Sequence, residues 1–356
     1  MKRSQSSVGG IALAAGLGTR LRPLTSDTPK PLVPFFGTNL LSVTIHKISL
    51  TSASALGVNA HFFLDQIEKH CLERKSHLSK FFDKFLLSKE SPNILGTAGC
   101  YSAFKALPCE YFLAHNADIL SNLDLNSFVK SALQNDGPVT MALTPKPHGG
   151  GMHVWTESDR VVHIGSDHGG HKDATPCGFI GIQMFHRSIL DKIKPQSYQE
   201  LVPLYQELLS QGVTIHGKII HDISFVDIGT LAGFYTSHLD ILDQIEYDKT
   251  TDKVCPDQFS IIDTLGTSLN DFIFVQRGGC VEIGTKIKIE GPSLVSRSLN
   301  SKGNLHIGPN SIVMKNVYFE SEVKTSRSIF MPLTSVESSE YDGIIHHAGE
   351  IVYKAL

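Results

Sequence analysis

Up to about residue 245, apolar segments of two kinds alternate along the chain. Short runs at 10–14, 111–114 and 139–143 read as strands, and 40–54, 64–78 and 125–133 read as helices. Residues 153–164 predict a hairpin turning at Glu157-Ser158-Asp159. At 203–211, Leu204, Tyr205, Leu208 and Leu209 share one helical face, with Gly212 as a C-terminal stop. Leu231, Phe234, Tyr235, His238, Leu242 and Ile245 fall at helical spacing in the next helix. Both stripes are ordinary core faces. The alternation predicts an α/β domain over 8–245, a mostly parallel, Rossmann-like sheet with helices on both faces.

After Ile245 the texture changes. Residues 246–258 are polar, carry Thr250, Thr251 and Pro256, and read as a linker. Beyond it, Ile283, Ile289 and Val295 recur every six residues, and Ile307, Val313 and Phe319 continue that register. Val281, Ile287, Leu299, Leu305, Val317, Val323 and Ile329 form a second series of the same period. A meander would show period two without a shared register of six. The hexapeptide period predicts a small left-handed β-helix over 259–356, each short strand stacking on the one a coil below. Residues 1–7 form a polar N-terminal extension.

Candidate chemistry concentrates at 13–34. Strand residues 11–14 run into a loop with Gly16 and Gly18, followed by Thr19, Arg20, Arg22 and the Pro29-Lys30-Pro31 clamp. Glycines let main-chain N–H groups approach a phosphate closely, and the cations add fixed positive charge. This predicts a polyphosphate site. It is not a P-loop, because no Gly-Lys-Ser/Thr opens a helix, and Leu21 occupies the place of a dinucleotide fingerprint's third glycine.

Length and charge narrow the classes. A chain of 356 residues accommodates two domains. A net charge of −3 argues against a broad nucleic-acid surface, and no run approaches the roughly eighteen apolar residues of a membrane span. No signal-peptide pattern opens the chain. The six cysteines (71, 100, 109, 177, 255 and 280) are scattered without a Cys-x-x-Cys pair, and read as reduced thiols of a cytoplasmic protein. Among seventeen histidines, neither His168 with His171 nor adjacent His346 and His347 has zinc-site spacing. They read as surface residues or loop hydrogen-bonders.

Five segments then follow in order: 13–25 with 29–34, Leu95-Gly96-Thr97-Ala98-Gly99, Phe112 to Asp118, Phe179-Ile180-Gly181-Ile182, and Val226-Asp227-Ile228-Gly229-Thr230. Together they resemble the sugar-1-phosphate nucleotidyltransferases, or NDP-sugar pyrophosphorylases, and in particular their mannose-1-phosphate guanylyltransferase-like members. The resemblance implies transfer of a nucleotidyl group from a nucleoside triphosphate to a sugar-1-phosphate, with release of pyrophosphate. GTP and mannose-1-phosphate are the preferred substrates, because 95–99 resembles the guanylyltransferase form of the loop. A uridylyltransferase acting on glucose-1-phosphate or N-acetylmuramate-1-phosphate is the alternative, and a non-catalytic regulatory subunit binding sugar nucleotides is another. An acyltransferase in the β-helix is set aside, because only about a hundred residues follow the linker.

Residue roles carried by the resemblance are as follows. Arg20 would hold the β- and γ-phosphates with Arg22 in support, and Lys30 would sit on the α-phosphate. Asp118 and Asp227 would meet at the carboxyl ends of neighbouring strands and hold Mg²⁺, completing the catalytic set with Arg20 and Lys30. Nucleotide binding would further use Leu13, Ala14, Gly16, Gly18, Thr19, Glu90, Gly96, Thr97 and Gly99. Asn116, Gly181 and Lys172 would bind the sugar phosphate. Lys172 is the nearest cation to where many relatives carry Glu-Lys-Pro, and Phe225 stands where a Trp is usual. Taken singly, either aspartate could instead cap a following helix. A homo-oligomer is expected through the flat sides of the β-helix.

Overall fold

The computed structural model describes residues 7–147, 152–244, 247–248, 253–254, 271–337 and 340–355. Residues 1–6, most of the expected 246–258 linker, and Cys255 lie outside the described residues. The chain forms two compact units. The first combines Met1–Leu17 with Thr44–Phe225, and the second combines Gly18–Val43 with Val226–Leu356. Among the described residues, no helix is long and apolar enough to cross a membrane.

The first unit is built on a nine-stranded sheet. Its strands are β1 (Val8–Leu13), β2 (Ala53–Ala60), β3 (Lys84–Lys89), β4 (Tyr111–Asn116), β5 (Val139–Thr144), β6 (His153–Glu157), β7 (Arg160–Ile164), β8 (Thr175–His186) and β9 (Ile215–Ile219). They lie in the order β3-β2-β1-β4-β8-β5-β9-β7-β6. Strands β3, β2, β1 and β4 are all parallel, as is the β5–β9 pair. Strand β8 runs antiparallel to β4, β5 and β6, and β7 runs antiparallel to β6 and β9. The sheet is therefore mixed rather than mostly parallel. The expected hairpin is the reason: the β6–β7 turn reverses the chain without a crossover helix, so the chain returns along β8 in the opposite sense.

Two glycines show how closely this sheet is covered. A Cβ on Gly10 would lie 2.2 Å from Ile48 Cγ2, and one on Gly57 would lie 2.5 Å from the Phe104 ring. Ile48 belongs to helix α1 (Leu40–Ser49) and Phe104 to the 3-10 segment Cys100–Ala106. Alternation along a strand puts Gly10 on one face, and the register Ile11↔Gly57 puts Gly57 on the other. Helical elements thus pack on both faces. The expected helix 40–54 ends early, because Thr51 turns the chain: its hydroxyl donates to Ile48 C=O and accepts the Ala53 N–H. The following residues enter β2. The expected helix 64–78 breaks at Arg74, giving α2 (Leu64–Glu73) and a short turn Lys75–Leu78. Helix α3 (Leu125–Ala132) falls where expected. Helix α4 (Leu201–Ser210) ends at Gly212 with φ +78°, where Gly212 N–H donates to Leu209 C=O and Val213 N–H to Leu208 C=O.

Among its described residues the second unit carries α5 (Leu231–Gln244), two two-stranded sheets, and a six-, a five- and a three-stranded sheet that together form a coil. Ile287 pairs in parallel with Leu305 and Leu305 with Val323, while Ser293 pairs with Ser311, so partners lie 18 residues apart. Three hexapeptides per turn make this the arrangement of a β-helix. Ile289, Val295, Ile307, Val313 and Phe319 point inward and are fully buried. Ile283 departs from the expected register and is 38% exposed. It sits in an antiparallel hairpin, Cys280–Ile283 against Ile287–Glu290, that precedes the first coil, with Gly284 in its turn.

Candidate active site

Parallel strands point the same way, so their carboxyl ends share one sheet edge. In the first unit Leu13 aligns with Asn59 on β2 and with Asn116 on β4, and Ala60 aligns with Lys89 on β3. Ala14, Asn59, Glu90 and the turn at 116–118 follow from those registers at that edge. Open α/β sheets bind ligands at such an edge.

A buried polar chain ties the edge together. The Ala14 N–H donates to Asn59 Oδ1 at 2.7 Å, and Asn59 Nδ2 donates to Glu90 Oε1 at 2.7 Å. The other carboxylate oxygen of Glu90 accepts the Leu95 N–H at 2.7 Å. Glu90 is 2% exposed and Asn59 4%. Both oxygens of Glu90 are thus engaged within the protein, and they fasten the segment before Gly96 to the ends of β1 and β2. The next residues are locked in turn. Gly96 has φ +77°, and a Cβ there would lie 2.5 Å from the Gln199 carbonyl oxygen. That carbonyl accepts the N–H groups of Ala98 and Gly99, and Thr97 Oγ1 accepts the Leu201 N–H at 2.9 Å, at the start of α4.

The strand β4 edge carries the next group. The Ala117 N–H donates to Leu13 C=O at 2.9 Å, which holds the turn to β1. Asn116 lies against Gly181, where a Cβ would come within 2.7 Å of its Nδ2, so two of the expected sugar-phosphate residues are adjacent. Lys172, the third, is exposed. Asp118 is partly buried. It does not cap α3: Asp124 does, accepting the N–H groups of Asn126 and Ser127 at 2.9 and 3.1 Å. Behind this turn, buried Lys47 donates from Nζ to Ser121 C=O. His115 is fully buried, and burial, aided by the charge of Lys47, pushes its imidazole down to about 4. It is neutral at pH 7.

The second unit gathers the cationic set. Gly18, at φ +64°, precedes the 3-10 turn Thr19–Leu21, and its carbonyl accepts the Thr25 hydroxyl at 2.8 Å. A Cβ on Gly18 would lie 2.8 Å from Lys30 Cβ, so the glycine loop packs directly on the lysine stem. The Lys30 side chain is 7% exposed, and its Nζ lies 3.7 Å from Asp227 Oδ1, on a carboxylate 46% exposed. A Cβ on Gly229 would meet Arg20 Nη2 at 3.0 Å and Asp227 Oδ1 at 3.2 Å. Arg20, Lys30 and Asp227 therefore converge around Gly229, while Thr19, Arg22 and Gly16 are exposed. Asp227 is not the cap of α5, since Thr230 Oγ1 accepts the Gly233 N–H at 3.1 Å.

Of the histidines singled out from sequence, His168 and His171 are exposed as expected, whereas His346 is buried in a strand rather than lying at the surface or in a loop. His168 Nδ1 accepts the Gly170 N–H, His171 pairs with Glu157, and His346 Nδ1 bonds Thr334 Oγ1. Cys71, Cys100, Cys109, Cys177 and Cys280 are free thiols, and only Cys280 of these is exposed. Sequence reading did not single out Lys47, whose buried ammonium bonds the Ser121 carbonyl. Its signal was a lysine seven residues after Leu40, on the helical face that also holds buried Thr44.

Comparisons with known proteins place the chain in a family and a fold. The sequence model of the nucleotidyl transferase family matches residues 9–244. The chain is similar to N-acetylmuramate alpha-1-phosphate uridylyltransferase of Caulobacter vibrioides, 36% identical over 96 residues, which cover 27% of this chain and 39% of that protein. It is also similar to the mannose-1-phosphate guanylyltransferase catalytic subunit beta of Drosophila melanogaster, 27% identical over 221 residues, 57% of each chain. The match thus spans well under two thirds of the length of either relative. In fold, it is similar to the inositol-1-phosphate CTP transferase of T. maritima, with a TM-score of 0.54 at 16% identity, covering 64% of this chain and 92% of that one.

Proposed function

The chain belongs to the nucleotidyl transferase family, and on that premise we propose that it joins a nucleoside triphosphate to a sugar-1-phosphate and releases pyrophosphate. The convergence of Arg20, Lys30 and Asp227 around Gly229 carries this reading. A phosphate oxygen of the sugar-1-phosphate attacks the α-phosphorus, and the bond from that phosphorus to the bridging oxygen of pyrophosphate breaks. Two anions must approach, so the chemistry depends on positioning and charge neutralisation. Lys30 has a fixed stem and a carboxylate beside its ammonium, which suits it to the α-phosphate. Arg20, exposed and forked, suits the β- and γ-phosphates. The Leu13–Ala14 strand end and the Gly96–Gly99 segment are rigid main-chain platforms, which supports their use in holding the nucleoside. Glu90 and Thr97 serve that role through the loop they fasten.

Mg²⁺ is the ion we propose for this chemistry, with Asp118 of the first unit and Asp227 of the second each a candidate ligand. Asp118 and Asp227 offer hard oxygens, and neither is occupied as a helix cap. Among the described residues, no group of three or more His, Cys, Asp or Glu is arranged to hold an ion. Mg²⁺ commonly takes one or two carboxylates and keeps its waters. When bound, it would offset phosphate charge in the transition state.

GTP and mannose-1-phosphate are the substrates we favour, supported by the form of 95–99 and by the Drosophila relative. The Caulobacter relative supports UTP with N-acetylmuramate-1-phosphate as the second choice. The coil is read as left-handed, with its flat faces joining copies into a homo-oligomer. The deciding experiment is pyrophosphate release with GTP, UTP, ATP, CTP and dTTP against several sugar-1-phosphates. Activity confined to a non-guanine triphosphate overturns the base. Binding of an NDP-sugar with no turnover in Mg²⁺ replaces the enzyme with a regulatory subunit.

A further inference from the structure

We propose that Lys47 is a positioning residue for Asp118, holding the turn that presents this carboxylate through a buried ammonium-to-carbonyl bond; this rests on the reading of Asp118 as a metal ligand. Lys47 lies in the first unit, on α1, and is 6% exposed. A lysine that deep is costly unless its N–H groups find acceptors. One acceptor is the main-chain carbonyl of Ser121, three residues after Asp118 and 74 residues from Lys47 in sequence. The bond therefore ties α1 to Ser121, at the end of the short strand Ile119–Ser121 that follows the 117–118 turn, while the Ala117 N–H ties the start of that turn to β1 through Leu13 C=O. Asp118 sits between these two anchors.

The surroundings argue for a fixed charge rather than simple packing. His115 is fully buried beside Lys47 and kept neutral by burial, so Lys47 is the lasting positive charge behind the turn. An apolar residue would fill the same volume on a helix face otherwise buried against the sheet.

The test measures Mn²⁺ binding by electron paramagnetic resonance on the full chain, with circular dichroism melting as the folding control. Lys47→Met removes donor and charge, and Lys47→Gln keeps a donor alone. Folded Lys47→Met should bind Mn²⁺ roughly 10- to 100-fold more weakly, as losses of outer-shell partners do. Wild-type affinity in folded Lys47→Met overturns the proposal. If that variant does not fold, Lys47→Gln, whose uncharged donor stops one bond short of the lysine Nζ that reaches Ser121 C=O, decides by the same readout, with weakened binding supporting the proposal and unchanged binding overturning it. Asp118→Asn separates the premise: if it binds Mn²⁺ like the wild type, the assignment of Asp118 fails, whatever Lys47 does.

Discussion

Asp227→Asn separates the chemistry of the candidate site from its architecture. The substitution is nearly isosteric and removes one negative charge. Its structural cost should be small. The ion pair with Lys30 spans 3.7 Å on a carboxylate 46% exposed, and solvent-screened pairs of this kind contribute about 0–1 kcal/mol. The helix that follows keeps its cap, because Thr230 supplies it. Catalysis should suffer far more. Asp227 stands where Arg20 and Lys30 converge, and losing a carboxylate that helps hold a divalent cation typically costs several kcal/mol. At about 1.4 kcal/mol per tenfold, a loss of roughly 4 kcal/mol is on the order of a thousandfold in turnover. Steady-state pyrophosphate release gives the rate and a thermal melt gives the fold. Near-normal turnover at an unchanged melting temperature would refute the assignment of Asp227.

Other consequences are as direct. Glu90→Ala should destabilise the first unit by about 2–5 kcal/mol in urea titration, since it strands the buried Asn59 amide and Leu95 N–H; a loss below about 1 kcal/mol would count against the buried link. Gly10→Ala should cost about 1–3 kcal/mol by overpacking Ile48, and a neutral melt would show that the α1 contact yields. Acid should unfold the protein in a window set by buried histidines. Burial lowers His115 to about 4 and His238 to about 3 from 6.5, so the unfolded chain binds more protons below about pH 6.5 and stability falls as pH drops. Each contributes roughly 3 kcal/mol of loss by pH 4, and His238→Phe should flatten its share of the slope in urea titrations between pH 7 and 4.

Local chemistry was legible from sequence, and strand direction was not. The Gly212 stop and the hexapeptide period could be read because each is a local pattern, a glycine at a helix end and an apolar position every six residues. Ile283 followed the hexapeptide count yet lies in a hairpin, since a period of six does not reveal where coiling begins. Thr51 ended α1 sooner than its apolar pattern suggested, because a hydroxyl bonding Ile48 C=O competes with the helix. The mixed half of the sheet escaped because β8 looks apolar whichever way it runs. At the candidate site, Arg20 and Lys30 stood out in one motif. The Asn59–Glu90 bond joins residues 31 apart, and Lys47 reaches a carbonyl 74 residues away. No local pattern announces such a pair.

The same asymmetry explains where the polar burial lies. In the β3-β2-β1-β4 half, registers align Leu13 with both Asn59 and Asn116, so one edge collects every carboxyl end. A turn leaving each end exposes main-chain groups that no ladder satisfies. Asn59 and Glu90 satisfy them on one side of β1, and Lys47 satisfies Ser121 beyond β4. Antiparallel β8 cannot contribute a carboxyl end there, because it runs the other way. It contributes Gly181 at mid-strand instead, where the missing Cβ leaves room for Asn116. Gly181→Ala should therefore displace Asn116 without touching the Asn59–Glu90 link. If Asn116 orients a sugar phosphate, that variant should raise the KM for sugar-1-phosphate while the KM for nucleoside triphosphate stays near its wild-type value. Equal rises in both constants would mean that the edge moves as one piece and that Asn116 has no separate role.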